Sequence, residues 1–264
     1  MGAKAIDPQT IRNVTIIGDP DETTRVAHLL CRRRSGQPGS GTRATVDWTT
    51  GRVEHTIRIA VLTSHAPIAD LERSIRVADG VIAVMNAAAN PTPRLETMFR
   101  VADDYQVARL CLINGLDHPA ADFDRCVRTI ADTRGAVPLT LQIPLGADPT
   151  FEGVIDLLPL WALEPLAAEL YGSHWEVAER WYGELVKTVM EQSPSDPNAS
   201  PALCDISLDQ LHQRIRYLTR IGDVVPVLCG AAPTSDDIAT LLDAIARYLP
   251  SPMDVCQPEH ALDY

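Results

Sequence analysis

Six short apolar segments recur along this chain, and segments with helical spacing separate them. The clearest are "NVTIIG" (13–18), "GVIAVMN" (80–86), "ARLCLIN" (108–114) and "VVPVLC" (224–229). A segment that is apolar at nearly every position is typical of a strand covered on both faces of a parallel sheet. This alternation of strands and helices predicts an α/β fold, with a mostly parallel sheet and helices on both faces.

The alternation stops at about residue 150 and resumes at about residue 225. Between them lie two helical segments, "EVAERWYGELVKTVMEQ" and "SLDQLHQRIRYLTRIG", with the Pro- and Ser-rich "SPSDPNASPALCD" in between. We therefore predict a small helix-rich insert subdomain at 150–224. The predicted α/β core covers 11–149 and 225–256, and 1–10 and 257–264 are predicted tails.

Composition limits the partners and the location of the protein. With 35 acidic and 23 basic residues, the net charge is −12, which argues against a broad nucleic-acid surface. The six cysteines form no Cys-x-x-Cys pair, and there is no secretory signal or apolar segment long enough to span a membrane. We expect a cytoplasmic protein that does not enter membranes. His174 and His212 lack partners at metal-ligand spacing, so no metal site is predicted.

The first connection between a predicted strand and helix, "GDPDETT", is unusually acidic. A phosphate-binding loop at this place needs glycines, a lysine and backbone N–H groups that converge on an anion. Carboxylates here instead satisfy the helix dipole themselves, and they repel a triphosphate. The segment is predicted to be a degenerate phosphate loop, and its residues are Gly18, Asp19, Asp21, Glu22, Thr23 and Thr24.

Several segments resemble, in the same order, those of the G domain of translation elongation factor G. "IRNVTIIG" resembles its first strand, and "LERSIRVADGVIAVMNA" the helix and strand after its second switch. "CLINGLD" resembles the base-recognition motif Asn-Lys-x-Asp, and "VPVLCGAAP" resembles the last nucleotide loop. The resemblance covers about 11–256, with the insert. It implies a P-loop-GTPase-like sheet in a truncated and degenerate form.

The residues that handle phosphate and Mg²⁺ in that family are missing from the matching places. The first motif lacks its Gly and Lys, which leaves Thr23 or Thr24 as a weak Mg²⁺ position. The second motif, Asp-Thr-Pro-Gly, has no counterpart in "TSHAPIADLERS", where His65 fits a surface loop better than a catalytic role. The first switch is shortened to a predicted loop, Thr49–His55, and Thr56 fits a residue that opens a strand. The resemblance therefore implies no catalytic residue here.

The guanine-recognition residues are better preserved. Asn114 and Asp117 have the family's spacing, and Ala232 could offer its backbone N–H to the base. Gly115 replaces the lysine that packs along the base. The alternative is that "NGLD" is a turn after a strand, because Asn, Gly and Asp all favour turns.

Two functions remain open at this point. The first is a pseudo-GTPase that acts through contacts with the ribosome, the ribosomal stalk protein or another translation factor. For this function we expect no cofactor. The alternative is a weak guanine-nucleotide binder, or a slow GTPase completed by a partner, with weak affinity for GTP or GDP. A remnant without any function is a third possibility.

Overall fold

The structure is a computed structural model, and it describes ten segments of the chain. They are 7–18, 20–32, 43–61, 66–90, 92–133, 137–146, 151–162, 172–192, 206–231 and 235–255. The strands are β1 (Ile11–Gly18), β2 (Arg43–Thr50), β3 (Val53–Val61), β4 (Gly80–Asn86), β5 (Ala108–Asn114), β6 (Val137–Thr140), β7 (Gln142–Leu145), β8 (Gly153–Asp156) and β9 (Val224–Cys229). The helices are α1 (Pro20–Arg32), α2 (Ile68–Arg76), α3 (Pro93–Asp104), α4 (Phe123–Ala131), α5 (Leu157–Ala162), α6 (Trp175–Gln192), α7 (Leu208–Ile221) and α8 (Ser235–Tyr248).

Within these segments, seven strands form one sheet in the order β2-β3-β1-β4-β5-β9-β6. β2 pairs antiparallel with β3, and the other neighbouring pairs are parallel. Successive side chains point to opposite faces, so Ile82 enters one buried cluster and Ala83 the other. The predicted α/β fold with its mostly parallel sheet is confirmed.

The edge of the sheet differs from the sequence-based expectation. The predicted loop Thr49–His55 was wrong, because β2 continues to Thr50 and β3 begins at Val53. Gly51 and Arg52 connect the two strands with φ of 57° and 80°. A two-residue turn with both φ values positive matches the twist of a hairpin, so no longer loop is needed. Thr56 lies inside β3, where its hydroxyl donates to Asp47 Oδ1 over 3.1 Å.

The apolar pattern of "VPLTLQIPLG" (137–146) predicts one strand, but the structure divides this segment between two sheets. β6 pairs with β9 in the main sheet, whereas β7 pairs antiparallel with β8 in a separate two-stranded sheet. Leu141 donates its N–H to the carbonyl of Val227 in β9, and from Gln142 onward the chain pairs with β8. A change of strand partner leaves no mark on the apolar pattern, which explains the error. The limits of the insert stay a prediction.

Two further observations concern classes of site. No helix within the described segments is long and apolar enough to cross a membrane. The same segments contain no group of three or more His, Cys, Asp or Glu side chains arranged to hold a metal ion. Cys111 and Cys229, which lie in the apolar strands β5 and β9, are buried thiols.

Candidate functional site

Four neighbouring strands end at the same edge of the sheet, where a ligand would be expected. β1, β4, β5 and β9 are parallel, and their last residues are Gly18, Asn86, Asn114 and Cys229. After β1 the chain builds β2 and β3 on one side of β1, and it then crosses to the other side to build β4. The direction in which strands are added therefore reverses between β1 and β4. Open α/β sheets bind ligands in the crevice at such a reversal.

Gly18 fixes how the chain leaves β1. Its φ is +135°, and a Cβ there would lie 2.0 Å from the carbonyl oxygen of Val84 in β4. No side chain fits so close to a neighbouring backbone. α1 already begins at Pro20, so a single residue, Asp19, separates the strand from the helix. Asp19 lies outside the described residues.

This connection contains no lysine. The sequence has two lysines, Lys4 and Lys187, and neither belongs to the β1–α1 connection or to α1. The first turn of α1 instead carries Asp21, which is exposed, and Glu22, which is 1% exposed. The end of β1 therefore faces carboxylates where a phosphate-binding loop needs an ammonium group.

The buried Glu22 carboxylate joins α1 to the ends of β4 and β5. Asn86 Nδ2 donates to Glu22 Oε1 over 3.1 Å, and Asn114 Nδ2 donates to Oε2 over 3.4 Å. The guanidinium of Arg25 forms an ion pair with Oε1 at 3.1 Å. A buried carboxylate is tolerated when hydrogen bonds and an opposite charge compensate it, and this arrangement supplies both.

The position of Glu22 follows from the periodicity of α1. Glu22, Val26 and Leu30 are spaced by four residues and are all buried, so they share the face that packs on the sheet. Sequence reasoning treated Glu22 as one of several acids at the helix start that satisfy the helix dipole. Its spacing from Val26 and Leu30 was the signal that could have distinguished it from Asp21.

Asn86 is a residue of the candidate site that sequence reasoning missed. It ends β4 in register with Asn114, which ends β5. Its Oδ1 accepts a hydrogen bond from the N–H of Ala88 over 2.8 Å, and this leaves Nδ2 directed at Glu22. The available signal was an asparagine at the carboxyl end of each of two consecutive apolar strands.

The loops after β5 and β9 hold each other through the backbone. Leu116 donates to the carbonyl of Gly230 over 3.2 Å, and Gly230 donates to the carbonyl of Ile113 over 2.9 Å. Gly115 has a φ of +75°, and a Cβ there would lie 3.1 Å from Asn86 Oδ1. Asp117 follows on the exposed side of this turn. These bonds maintain the loop geometry without any ligand.

A second polar group supports the β9 end from behind. Gln142 Oε1 accepts a hydrogen bond from the N–H of Cys229 over 3.2 Å. The Gln142 side chain also hydrogen-bonds to Asp156, a carboxyl whose pKa is raised to about 6, chiefly because burial disfavours its charged form. Asp243 on α8 raises this pKa further, while Arg247 lowers it.

Comparison with known proteins identifies the family. The family model described as "Elongation factor Tu GTP binding domain" matches residues 65–251, which is more than half of the chain. The chain belongs to this family. Elongation factor G of Orientia tsutsugamushi (strain Ikeda) is 36% identical over 235 residues, which cover 85% of this chain and 31% of that protein.

A second relative and a solved structure agree with this assignment. Elongation factor G of Fervidobacterium nodosum is 31% identical over 281 residues, which cover 95% of this chain and 40% of that protein. The chain thus spans well under half the length of these relatives. The crystal structure of ttk003000868 from Thermus thermophilus matches with a TM-score of 0.70 and 17% identity, covering 93% of this chain and 41% of that chain. At 17% identity, the likeness to this crystal structure shows the fold alone.

The residues predicted for this elongation-factor-G-like domain fall into three groups. Gly18 and Asn114 end their strands at the same edge of the sheet, and Glu22 accepts a hydrogen bond from Asn114 there. Thr23 is buried in the first turn of α1, whereas Thr24 and the predicted Asp21 and Asp117 are exposed. The predicted Asp19 and Ala232, together with His65 of the second-switch region, lie outside the described residues. Nucleotide contact by any of these residues stays a prediction.

Proposed function

We propose that this elongation-factor-G-like domain is a pseudo-GTPase: it does not hydrolyse GTP and acts through contacts with proteins or the ribosome in translation. The observation that carries the proposal is the buried Glu22 carboxylate, hydrogen-bonded to Asn86 and Asn114 at the ends of β4 and β5. An internal anion there uses donors at the edge where the fold would receive a ligand.

A nucleotide's triphosphate does not fit the described residues at this edge. Two unit charges of the same sign 4 Å apart repel each other by roughly 4 kcal/mol at an effective dielectric constant of about 20. Arg25, the cation on this turn of α1, is paired with Glu22 at 3.1 Å. Asp21 lies on the same helix turn, and no lysine belongs to the connection or the helix. Phosphoryl transfer depends on positioning and charge stabilisation. Because the phosphate-loop lysine is missing, we expect no hydrolysis of GTP.

The region matched by the family model is consistent with this proposal. The match begins at residue 65, downstream of β1, α1 and the β2–β3 hairpin. The strongest agreement with the family therefore lies in the part of the chain that builds β4, β5 and β9. The proposed partners are the ribosome, the ribosomal stalk protein or another translation factor, and the proposed location is the cytoplasm; both come from the likeness to elongation factor G.

The second candidate is a weak guanine-nucleotide binder, or a slow GTPase completed by a partner. Asp117 favours it, because its carboxylate is exposed and could accept hydrogen bonds from a guanine. Asn114 favours the first candidate, because it is 1% exposed and its amide donates to Glu22. The two candidates differ in whether GDP or GTP binds to the isolated chain.

Co-sedimentation with purified ribosomes tests the partner, with pull-down of stalk protein and translation factors as the second arm. We expect saturable binding in at least one arm, with the same affinity in the absence of nucleotide and with GDP or GTP. Binding that requires GTP would support the second candidate and contradict the first. Absence of binding in every arm would remove the partner proposal.

A further inference from the structure

A cleft of about 640 Å³ lies between α2 and the sheet formed by β1, β2 and β3. Polar residues that line it are Asn13, Thr15, Thr45, Arg58, Asp70, Arg73 and Ser74. Neither Glu22 nor the asparagines at the strand ends belong to this lining. The cleft is therefore a separate feature from the candidate nucleotide site.

The cleft exists because the outer strands present short or polar side chains toward α2. Asn13 of β1 is in register with Arg58 of β3, which in turn pairs with Thr45 of β2. α2 buries Leu71 and Ile75, and it presents Ser74 and Val77 to the cleft. These polar positions and the small Ala60, which lies on the same face of β3 as Arg58, leave a space where a covered sheet would have large apolar residues.

The inner end of the cleft is well ordered by hydrogen bonds. Thr15 Oγ1 lies 3.1 Å from both the carbonyl and the hydroxyl oxygen of Ser74, which ties β1 to α2. Behind it, the Asp79 carboxylate accepts two hydrogen bonds of 2.8 Å from the N–H and the side-chain amide of Asn13. The walls of the cleft are therefore fixed by the fold itself.

Three charged residues line the cleft, Arg58 on β3 and Asp70 and Arg73 on α2, and together they leave one net positive charge. Arg73 on α2 has a distant ion pair of 3.7 Å with Asp70, and its side chain is 79% exposed. Among the described residues Arg58 forms no ion pair. The buried Asp79 attracts both Arg12 and Arg58, so Arg12 shares in compensating it. Arg58 remains as an exposed guanidinium beside apolar surface.

We propose that this cleft binds a small organic anion, with its carboxylate on Arg58 and a flat apolar body between Ala60 and Val77. A guanidinium forms paired hydrogen bonds with a carboxylate. The volume lies within the range of about 300–1,000 Å³ that small-molecule sites occupy. A protein partner would instead cover a surface of about 800 Å². The inference rests on the cleft alone and does not depend on the proposed function.

NMR titration of the ¹⁵N-labelled chain tests this site with two matched probes, naphthalene-2-carboxylate and its neutral amide. We expect saturable shifts in the backbone signals of residues 58–60 and 74–78. The carboxylate should bind about five-fold more tightly than the amide, which is the upper range for an exposed ion pair. Arg58→Gln should remove this preference, whereas Arg52→Gln, in the hairpin turn outside the cleft, should leave it unchanged.

A second variant makes the test independent of Arg58. Ala60→Leu fills the cleft and should abolish saturable shifts with both probes, while the remaining spectrum reports an intact fold. Equal affinity of the two probes, an unchanged preference in Arg58→Gln, or shifts that are absent from residues 58–60 and 74–78 would each overturn the proposal.

Discussion

The two halves of the sheet edge are built differently. We call the connection from β1 to α1 the phosphate end, because the family's phosphate-binding motif falls there. One residue separates the strand from the helix at this end, and the buried group nearby is the carboxylate of Glu22. We call the loops after β5 and β9 the base end, because the family's base-recognition motif falls there. These two loops hydrogen-bond to each other through Leu116 and Gly230. The base end keeps the spacing of its family's motif, and the phosphate end does not.

The comparison of the two ends indicates which motif residues also stabilise the fold. The backbone bonds at the base end join neighbouring strands, so losing them would cost stability with or without a nucleotide. A phosphate-binding loop directs its N–H groups at the ligand and not at a neighbouring strand. The presence of "NGLD" in the sequence is therefore weaker evidence for nucleotide binding than the loss of the lysine is against it.

The largest effect is expected at Gly18, the residue that shapes the phosphate end. Gly18→Ala places a Cβ about 2.0 Å from the Val84 carbonyl oxygen, which the sheet cannot accommodate. We expect a loss of at least about 3 kcal/mol in the free energy of unfolding, or no folded protein. Urea denaturation followed by circular dichroism measures it.

Gly153→Ala is the matched control for this substitution. Gly153 has a similar φ of +148°, but a Cβ there has no atom within 4 Å. We expect it to lose about 1–2 kcal/mol through backbone strain alone. Equal losses in the two variants would show that the contact with β4 does not constrain the phosphate end.

The next effect separates the buried acid from the exposed one on the same helix turn. Glu22→Ala removes the acceptor for the amides of the half-buried Asn86 and the buried Asn114. We expect a loss of about 2–4 kcal/mol in the free energy of unfolding. Glu22→Gln keeps the shape and should lose about half as much.

Asp21→Ala is the control, because Asp21 is exposed in the first turn of α1. Its loss should cost less than about 1 kcal/mol through the helix dipole. Chemical denaturation of the three variants under one condition makes the comparison. A larger effect at Asp21 than at Glu22 would contradict the role given to the buried carboxylate.

A smaller effect is expected behind the base end, at Asp156. Burial raises its pKa from 3.8 to about 6, so the folded state keeps a proton that the unfolded state has lost between about pH 4 and pH 6. The contribution of this group to stability therefore falls as pH rises through that window. Asp156→Asn should gain about 1–2 kcal/mol at pH 7.5 and close to nothing at pH 4.

Thermal and urea unfolding at both pH values measure this difference. Asn can still accept the hydrogen bond from Gln142, so the support of Cys229 should persist. A gain of the same size at pH 4 would show that the charge of Asp156 is not its cause.

The smallest effect is expected at Asp117. It is exposed on the turn after β5, and Asp117→Ala should change the free energy of unfolding by less than about 0.5 kcal/mol. Melting curves with and without GDP measure both the stability and any ligand effect. A GDP-dependent rise in melting temperature that disappears in the variant would favour the nucleotide-binding alternative.

Much of the fold could be predicted from the sequence because strands buried on both faces are apolar throughout. β4, β5 and β9 were recognisable in this way. The absence of the phosphate-loop lysine could also be read from the sequence, by comparison with the family's motif. The hairpin at Gly51 and Arg52 was missed because its turn depends on a positive φ at a non-glycine residue, which composition does not reveal. The split of 137–146 into β6 and β7 was missed because pairing partners are a tertiary property.

The candidate site was harder to predict than the fold. Asn114 was identified through its motif, but its hydrogen bond to Glu22 joins residues 92 positions apart in the chain. Asn86 belongs to no recognised motif, and its part became visible when the register placed it beside Asn114. Sequence identified which groups were missing at the phosphate end, whereas the structure was needed to find what occupies their neighbourhood.

Fluorescence titration of the purified chain with labelled GDP and GTP, in the presence of Mg²⁺, tests the central claim most directly. We expect no saturable binding up to about 1 mM nucleotide, a limit that corresponds to a binding free energy weaker than about −4 kcal/mol. Saturable binding in the micromolar range would contradict it.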